Sequence, residues 1–224
     1  LFFVPPGEAI INSLMIALVA MVLAVVMGIL SAQILFRWER PTGRPQNSRR
    51  LAASILDPLL MLPLATSAVT LGLGYLIALD RPPLNLRSSI ILLPIAHALV
   101  AIPFVLRSVL PSMRNIRPSW HEAAAMLGAG DTQTWWKITW PLLRSAILVG
   151  AVFAFTISMG EFGATVFISR PQTPTMPVAI FRFLGQPGAL NYGQAVAMST
   201  LLMGVCVICF VVIERFRTGD EGEF

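Results

Sequence analysis

Residues 9–36 read AIINSLMIALVAMVLAVVMGILSAQILF, a run without one charged side chain. A helix rises about 1.5 Å per residue and the hydrocarbon core of a bilayer is about 30 Å thick, so about 20 such residues suffice to cross it. This run is too long for the apolar part of a cleaved leader. No basic residue precedes it, and its arginines follow it, which is also the wrong order for a leader. It reads as a membrane-spanning helix.

Working outward, four further apolar runs qualify by the same measure: 59–79, 88–106, 142–168 and 195–213. The expected fold class is therefore an all-α integral membrane protein with five transmembrane helices. Composition agrees. Hydrophobic residues make up 56% of the 224 and charged residues 12%, about half the usual charged share of a soluble domain, which is ~25%. The chain opens at Leu1 without Met, and reads as a fragment, the C-terminal half of a longer membrane protein. No internal repeat or low-complexity tract interrupts it. Cys206 and Cys209 lie inside the last apolar run and form neither a disulfide framework nor a complete metal site.

The net charge of +5 invites a nucleic-acid reading, which the placement of the charges excludes. Arg37, Arg40, Arg44, Arg49 and Arg50 follow the first run. Arg107, Arg114, Arg117, Lys137 and Arg144 surround the connection between the third and fourth. Arg215 and Arg217 follow the fifth. With alternating topology, 12 of the 16 basic residues share one side, and Arg81, Arg87, Arg170 and Arg182 take the other. Cytoplasmic loops are enriched in Lys and Arg. The N-terminus is expected outside and the C-terminus in the cytoplasm, with basic residues also available to anionic lipid.

The connector 37–50, with Pro41, Gly43 and Pro45, reads as a cytoplasmic loop, and the second run as starting after Asp57-Pro58. Pro63, Gly72, Gly74, Pro94 and Pro103 in the second and third runs suggest either kinked helices round a pathway or close packing through small residues. In the long outer loop 169–194, the short apolar run Met176–Leu184 cannot span and is expected as a re-entrant or interfacial helix.

The segment 114–141 is the most informative loop. Ser119-Trp120-His121-Glu122 has the S-x-x-E form of a capping box, so a helix is expected over 120–127. Gly128 and Gly130 would end it with left-handed turn chemistry. Asp131 or Thr132 would cap a second short helix through Trp135, Trp136 and Ile138, ending at Pro141. A short helix with Ala and Met faces suits a groove on a partner protein; an amphipathic hairpin lying on the membrane surface is an equal reading.

Glu122-Ala123-Ala124, Gly128, Ile138 and Pro141, spaced as E-A-A-x3-G-x9-I-x2-P, resemble the EAA loop of permeases in binding-protein-dependent ABC importers. One departure is Trp140, where that family usually has Leu. The stretches Ala101-Ile102-Pro103-Phe104, Pro111-Ser112-Met113-Arg114 and Gly160-Glu161-Phe162-Gly163 are similar to its iron(III)/thiamine branch. The resemblance implies a type I permease domain over 9–217, a coupling loop over 112–141 and a tail at 218–224. It implies that Glu122, Ala123, Ala124, Met126, Leu127, Gly128, Ile138 and Pro141 form the joint to a cytoplasmic ABC ATPase dimer that carries ATP and Mg. It also implies a second permease half or subunit, an external substrate-binding protein, a bacterial inner-membrane location, and iron(III) or thiamine as substrate.

Glu161 is the one carboxylate well inside an apolar run. Such a charge usually faces a cavity or a partner. With Gly160, Phe162 and Gly163 it is a candidate for the translocation pathway or its outer gate, where it would meet a cationic substrate. The plainer reading is a carboxylate hydrogen-bonded to a neighbouring helix, or one near enough to the outer interface to be hydrated. His97, alone among apolar residues, reads as a hydrogen-bonded packing residue, and Asp57 and Arg107 as interfacial anchors. His121-Glu122 begins the zinc-protease motif H-E-x-x-H, but position 125 is Ala and the motif fails.

The sole lysine, Lys137, lies outside any G-x-x-x-x-G-K-[ST] phosphate loop. Energy for transport is thus expected from a partner. A secondary transporter or channel is the alternative, although such proteins usually carry more intramembrane ionisable groups. No catalytic residue, bound cofactor, metal or nucleic-acid partner is expected of this chain.

Overall fold

A computed structural model describes residues 6–39, 47–79, 89, 91–170 and 173–220, and among them all regular structure is helical. Arg40, Pro41, Gly43, Arg44, Pro45, Arg81, Arg87, Ser88 and residues 221–224 lie outside the described residues.

Four helical runs are long and apolar enough to cross a membrane: α1 (Pro6–Glu39), α4 (Leu92–Asn115), the run Asp131–Gly160 and α10 (Ala189–Asp220). The second apolar run of the sequence is not one rod. It is α2 (Asn47–Ala65) and α3 (Ala68–Ala78), bent by 106° at Thr66-Ser67. Ser67 is extended there and caps the start of α3. The expected five crossings are met if this bent pair counts as one.

Two expected boundaries move. α2 begins at Asn47, inside the expected loop, and runs through Asp57-Pro58 and Pro63 instead of starting after them. Prolines are tolerated in membrane helices where side chains and neighbours satisfy the freed backbone groups. The expected tail also starts inside a helix, because α10 reaches Asp220.

Helices in lipid gain little by hiding apolar surface from one another, so close approach through small residues carries their packing. α1 buries Ala9, Ser13, Ala17, Ala20, Ala24, Gly28 and Ala32, a stripe spaced three or four residues apart. This stripe rests chiefly on α4 and on α7 (Trp140–Gly160). At the crossing, Val105 of α4 is wedged between two glycines. A Cβ at Gly28 would lie 2.6 Å from Val105 Cγ1, and one at Gly150 would lie 3.2 Å from Val105 Cα. Leu106, Leu110, Met113 and Leu143 complete the buried core beside it.

The helix ends segregate. At one end the Met176 amide donates to Ser13 Oγ at 2.7 Å, which fastens α9 (Met176–Leu184) to α1. This is the short helix expected over those residues, packed on α10 and α1 rather than spanning. At the other end the Arg114 guanidinium donates twice to Glu39, at 2.6 and 2.9 Å, and ties α4 to α1.

Candidate functional site

The loop after α4 folds as α5 (Pro118–Met126), a glycine turn, then α6 (Asp131–Thr134). Its start differs from expectation. Arg117 is the N-cap, Pro118 occupies the first turn, and no side chain caps the helix, so Ser119 is not a capping-box residue. Proline's fixed φ and missing N–H suit the first helical position, and here that preference sets the boundary.

The exit follows a Schellman arrangement. The Ala129 amide bonds to Ala124 O and the Gly128 amide to Ala125 O, both at 3.0 Å, with Gly128 at φ +80°. Gly130 differs: at φ −75° it is the N-cap of α6, and neither Asp131 nor Thr132 caps that helix.

Pro141 does not end a helix either. Residues 131–160 form one continuous run through a π-turn, Trp135–Thr139. The Trp140 amide reaches back five residues to Trp135 O. The wider turn supplies room for a proline ring that would crowd an α-helical carbonyl. The loop's second helix is thus the N-terminal extension of α7.

The hairpin is braced. Ala124 packs inward, His121 Nε2 lies 3.3 Å from Thr139 Oγ1, and the Trp136 ring packs at a tilt against Trp140, centroids 5.6 Å apart. A cleft of about 500 Å³ separates it from the C-terminal ends of α1 and α4, bordered by Arg37, Met113, His121, Asp131 and Trp135. The tip is bare: Met126 is 90% exposed and Leu127 88%. Glu122 and Ala123 are exposed, while Ile138 is half-buried.

Glu161 is not inside a helix. It follows the last residue of α7 in extended backbone, before α8 (Thr165–Ile168). Its side chain is buried, and both oxygens are occupied. Oε1 accepts the Ala164 amide at 2.9 Å, and Oε2 accepts the Thr165 amide at 3.0 Å and the Thr165 hydroxyl. His97 on α4, 1% exposed, bridges the break: Nε2 is 2.7 Å from Thr165 Oγ1, and Nδ1 is 2.7 Å from Ser158 Oγ on α7. Since the Thr165 hydroxyl donates to the carboxylate, Nε2 carries the imidazole proton and Nδ1 accepts from Ser158. His97 is thus the hydrogen-bonded packing residue expected, with partners that lie 61 and 68 positions away in sequence.

The two interrupted helices meet. A Cβ on Gly72 of α3 would lie 2.5 Å from Ala164 Cα, and one on Gly163 would lie 2.7 Å from Ala68 Cβ. Gly72 and Gly163 therefore serve close packing, whereas Gly74 and Gly160 meet nothing within 4 Å. The Phe162 ring packs at a tilt against Phe181 of α9, centroids 5.3 Å apart. Asp57 and Arg107, expected as separate anchors, form an ion pair at 3.6 Å between α2 and α4.

Residues 24–217 match the family described as the binding-protein-dependent transport system inner membrane component. The chain belongs to that family. The permease is 29% identical to the sulfate transport system permease protein CysW of Synechocystis over 93% of its own length and 76% of that protein. It is 30% identical to the molybdenum transport system permease protein ModB of Mycobacterium tuberculosis, over 89% and 75%. It is 27% identical to a putative 2-aminoethylphosphonate permease, PhnV, of Salmonella paratyphi A, over 96% and 77%.

The fold matches a solved amino acid ABC transporter crystallised with histidines, with a TM-score of 0.60 at 16% identity, over 94% of this chain and 93% of that one. The permease is therefore a multi-pass membrane protein of the ABC importer class. The expected iron(III)/thiamine branch is not supported, since these relatives are named for sulfate, molybdenum and a phosphonate. Of the three motifs that suggested it, Ala101–Phe104 packs between helices, Pro111–Arg114 carries the Arg114 tie to Glu39, and Gly160–Gly163 holds the break before α8.

Proposed function

We propose that this permease is one half of an ATP-driven importer of small oxyanions, coupled through α5 to a separate cytoplasmic ATPase dimer. The observation that carries the coupling is the bare tip of a braced helix. Met126 and Leu127 are almost wholly exposed although both are apolar, and an apolar helical knob fits a groove on a partner. Because α6 and the π-turn continue into α7, a push on the tip travels along a continuous helix into the membrane. ATP and Mg belong to the partner, and this chain binds neither.

The basic asymmetry orients the loop to the cytoplasm and the N-terminus outside. A second permease half faces this one, and an external binding protein delivers the substrate at the opposite end, near α9. The oxyanion class follows the relatives' names, and their shared chemistry favours it over iron(III) or thiamine. Gly160–Gly163 would form part of the outer gate. With both carboxylate oxygens engaged, Glu161 acts there as a positioning residue that holds the backbone of the break, not as a ligand for a cation. Broken helices are tolerated at membrane depth where they are buried or border a cavity.

The coupling is tested by assembling the permease with its ATPase and binding protein. Gly128→Trp, which forces a bulky residue to φ +80°, and Glu122→Lys are expected to abolish binding-protein-stimulated ATP hydrolysis and uptake. Wild-type rates in both variants would refute the coupling role.

A further inference from the structure

Two arginines on α4 lie seven residues apart on one face and are held very differently. Arg114, in the last turn, makes two short bonds to Glu39, a built staple. Arg107 lies eight residues before the helix end, about 12 Å inside it at 1.5 Å per residue. Among the described residues it is held only by Asp57 Oδ2 at 3.6 Å. Charge-assisted hydrogen bonds are usually about 2.7–2.9 Å long, so this pair is loose. The Arg107 side chain is 54% exposed, and the other Asp57 oxygen has no partner.

Around Arg107, α4 keeps an open stripe. α4 is otherwise the most buried spanning helix, and Phe104, Arg107, Pro111 and Arg114 are its open stripe. α2 flanks the stripe through Asp57, and α7 flanks it through Phe153, which stacks on Phe104 at 6.5 Å. A cation within a span is costly and usually faces a partner or a wet pathway. An oxyanion crossing the same region needs a counter-charge, and the planar fork of guanidinium matches its oxygens.

We propose that Arg107 is the cation that meets the transported oxyanion along this open stripe of α4, with Asp57 as its resting counter-ion. The guanidinium leaves Asp57 for the anion and returns to it once the anion has passed; Asp57 itself takes no part in moving the anion. The assignment rests on the reading of the chain as half of an oxyanion permease.

The test is uptake into proteoliposomes of labelled sulfate, molybdate and 2-aminoethylphosphonate by the permease assembled with its ATPase and binding protein. Arg107→Gln is expected to slow uptake at least about tenfold, the scale of one charge-assisted contact. Asp57→Asn is expected to stay within about threefold of wild type, and the double variant to be as slow as Arg107→Gln. A mere staple predicts instead that both single variants lose equally, and that result overturns the proposal.

Arg107→Lys keeps the charge without the fork and is expected to lose less than Arg107→Gln. If Arg107→Gln fails to assemble, equal losses in Arg107→Lys and Asp57→Asn overturn the proposal. If wild type carries one of the anions and Arg107→Gln matches it, the Arg107 role alone falls. If wild type carries none of the three, the oxyanion reading falls and takes this role with it.

Discussion

Replacing Glu161 with Gln keeps the shape of the side chain and removes its charge and one acceptor oxygen. In the native turn Oε1 serves the Ala164 amide, and Oε2 serves the Thr165 amide and hydroxyl. Every partner is a donor. A glutamine must aim its NH2 at one of them, so at least one buried amide loses its acceptor and faces another donor. Hydrogen bonds to a charged group contribute about 1.5–3 kcal/mol, and stranding a buried donor costs about 1–3 kcal/mol. The expected loss is therefore about 2–4 kcal/mol, on the scale of those two effects.

SDS-titration unfolding in mixed micelles measures this loss. His97→Gln should show a smaller loss, and the double variant less than the sum, because His97, Thr165 and Glu161 form one chain of bonds. Uptake should fall together with stability. If Glu161→Gln unfolds like wild type while uptake of a cation is selectively lost, the carboxylate is a ligand and the positioning argument is wrong.

Gly28→Ala puts a Cβ 2.6 Å from Val105 Cγ1 and should cost about 1–3 kcal/mol by overpacking; adding Val105→Ala removes that atom and should recover part of the loss in the same unfolding assay. Ser119→Ala should change stability by less than about 0.5 kcal/mol, since Ser119 caps nothing; a loss near 1 kcal/mol, as for a true N-cap, would restore the capping box. Gly128→Val should cost about 1–2 kcal/mol locally through its left-handed backbone, with nothing nearby to clash, and should uncouple ATP hydrolysis from uptake, whereas Gly128→Asn should retain most coupling because Asn tolerates that conformation.

Hydropathy made the spanning helices legible because a charge-free run such as 9–36 has few other uses. It could not reveal the bend at Thr66-Ser67, because the run stays apolar across it; the only local hint is Ser67, a favoured N-cap type. The small-residue stripe from Ala9 to Ala32 was readable as a spacing, but it is hidden in a run where every residue is apolar. The loop was legible as helix, glycine turn and helix, with Gly128 in its place. Its ends were misplaced because Ser119 competes with Pro118, and because a π-turn carries the chain through Pro141. The partners of His97, 61 and 68 positions away, leave no trace in local sequence, and those of Glu161, only three and four residues on, were hidden because the break before α8 was not legible.

The central claim is that the tip of α5 seats in a separate ATPase, and the affinity of purified permease for that ATPase tests it most directly. Met126→Asp with Leu127→Asp should leave the fold intact, since both side chains are exposed. Burying each would contribute about 1.5–3 kcal/mol, so losing both should weaken binding about a hundredfold or more. Unchanged affinity in a correctly folded double variant would contradict the account.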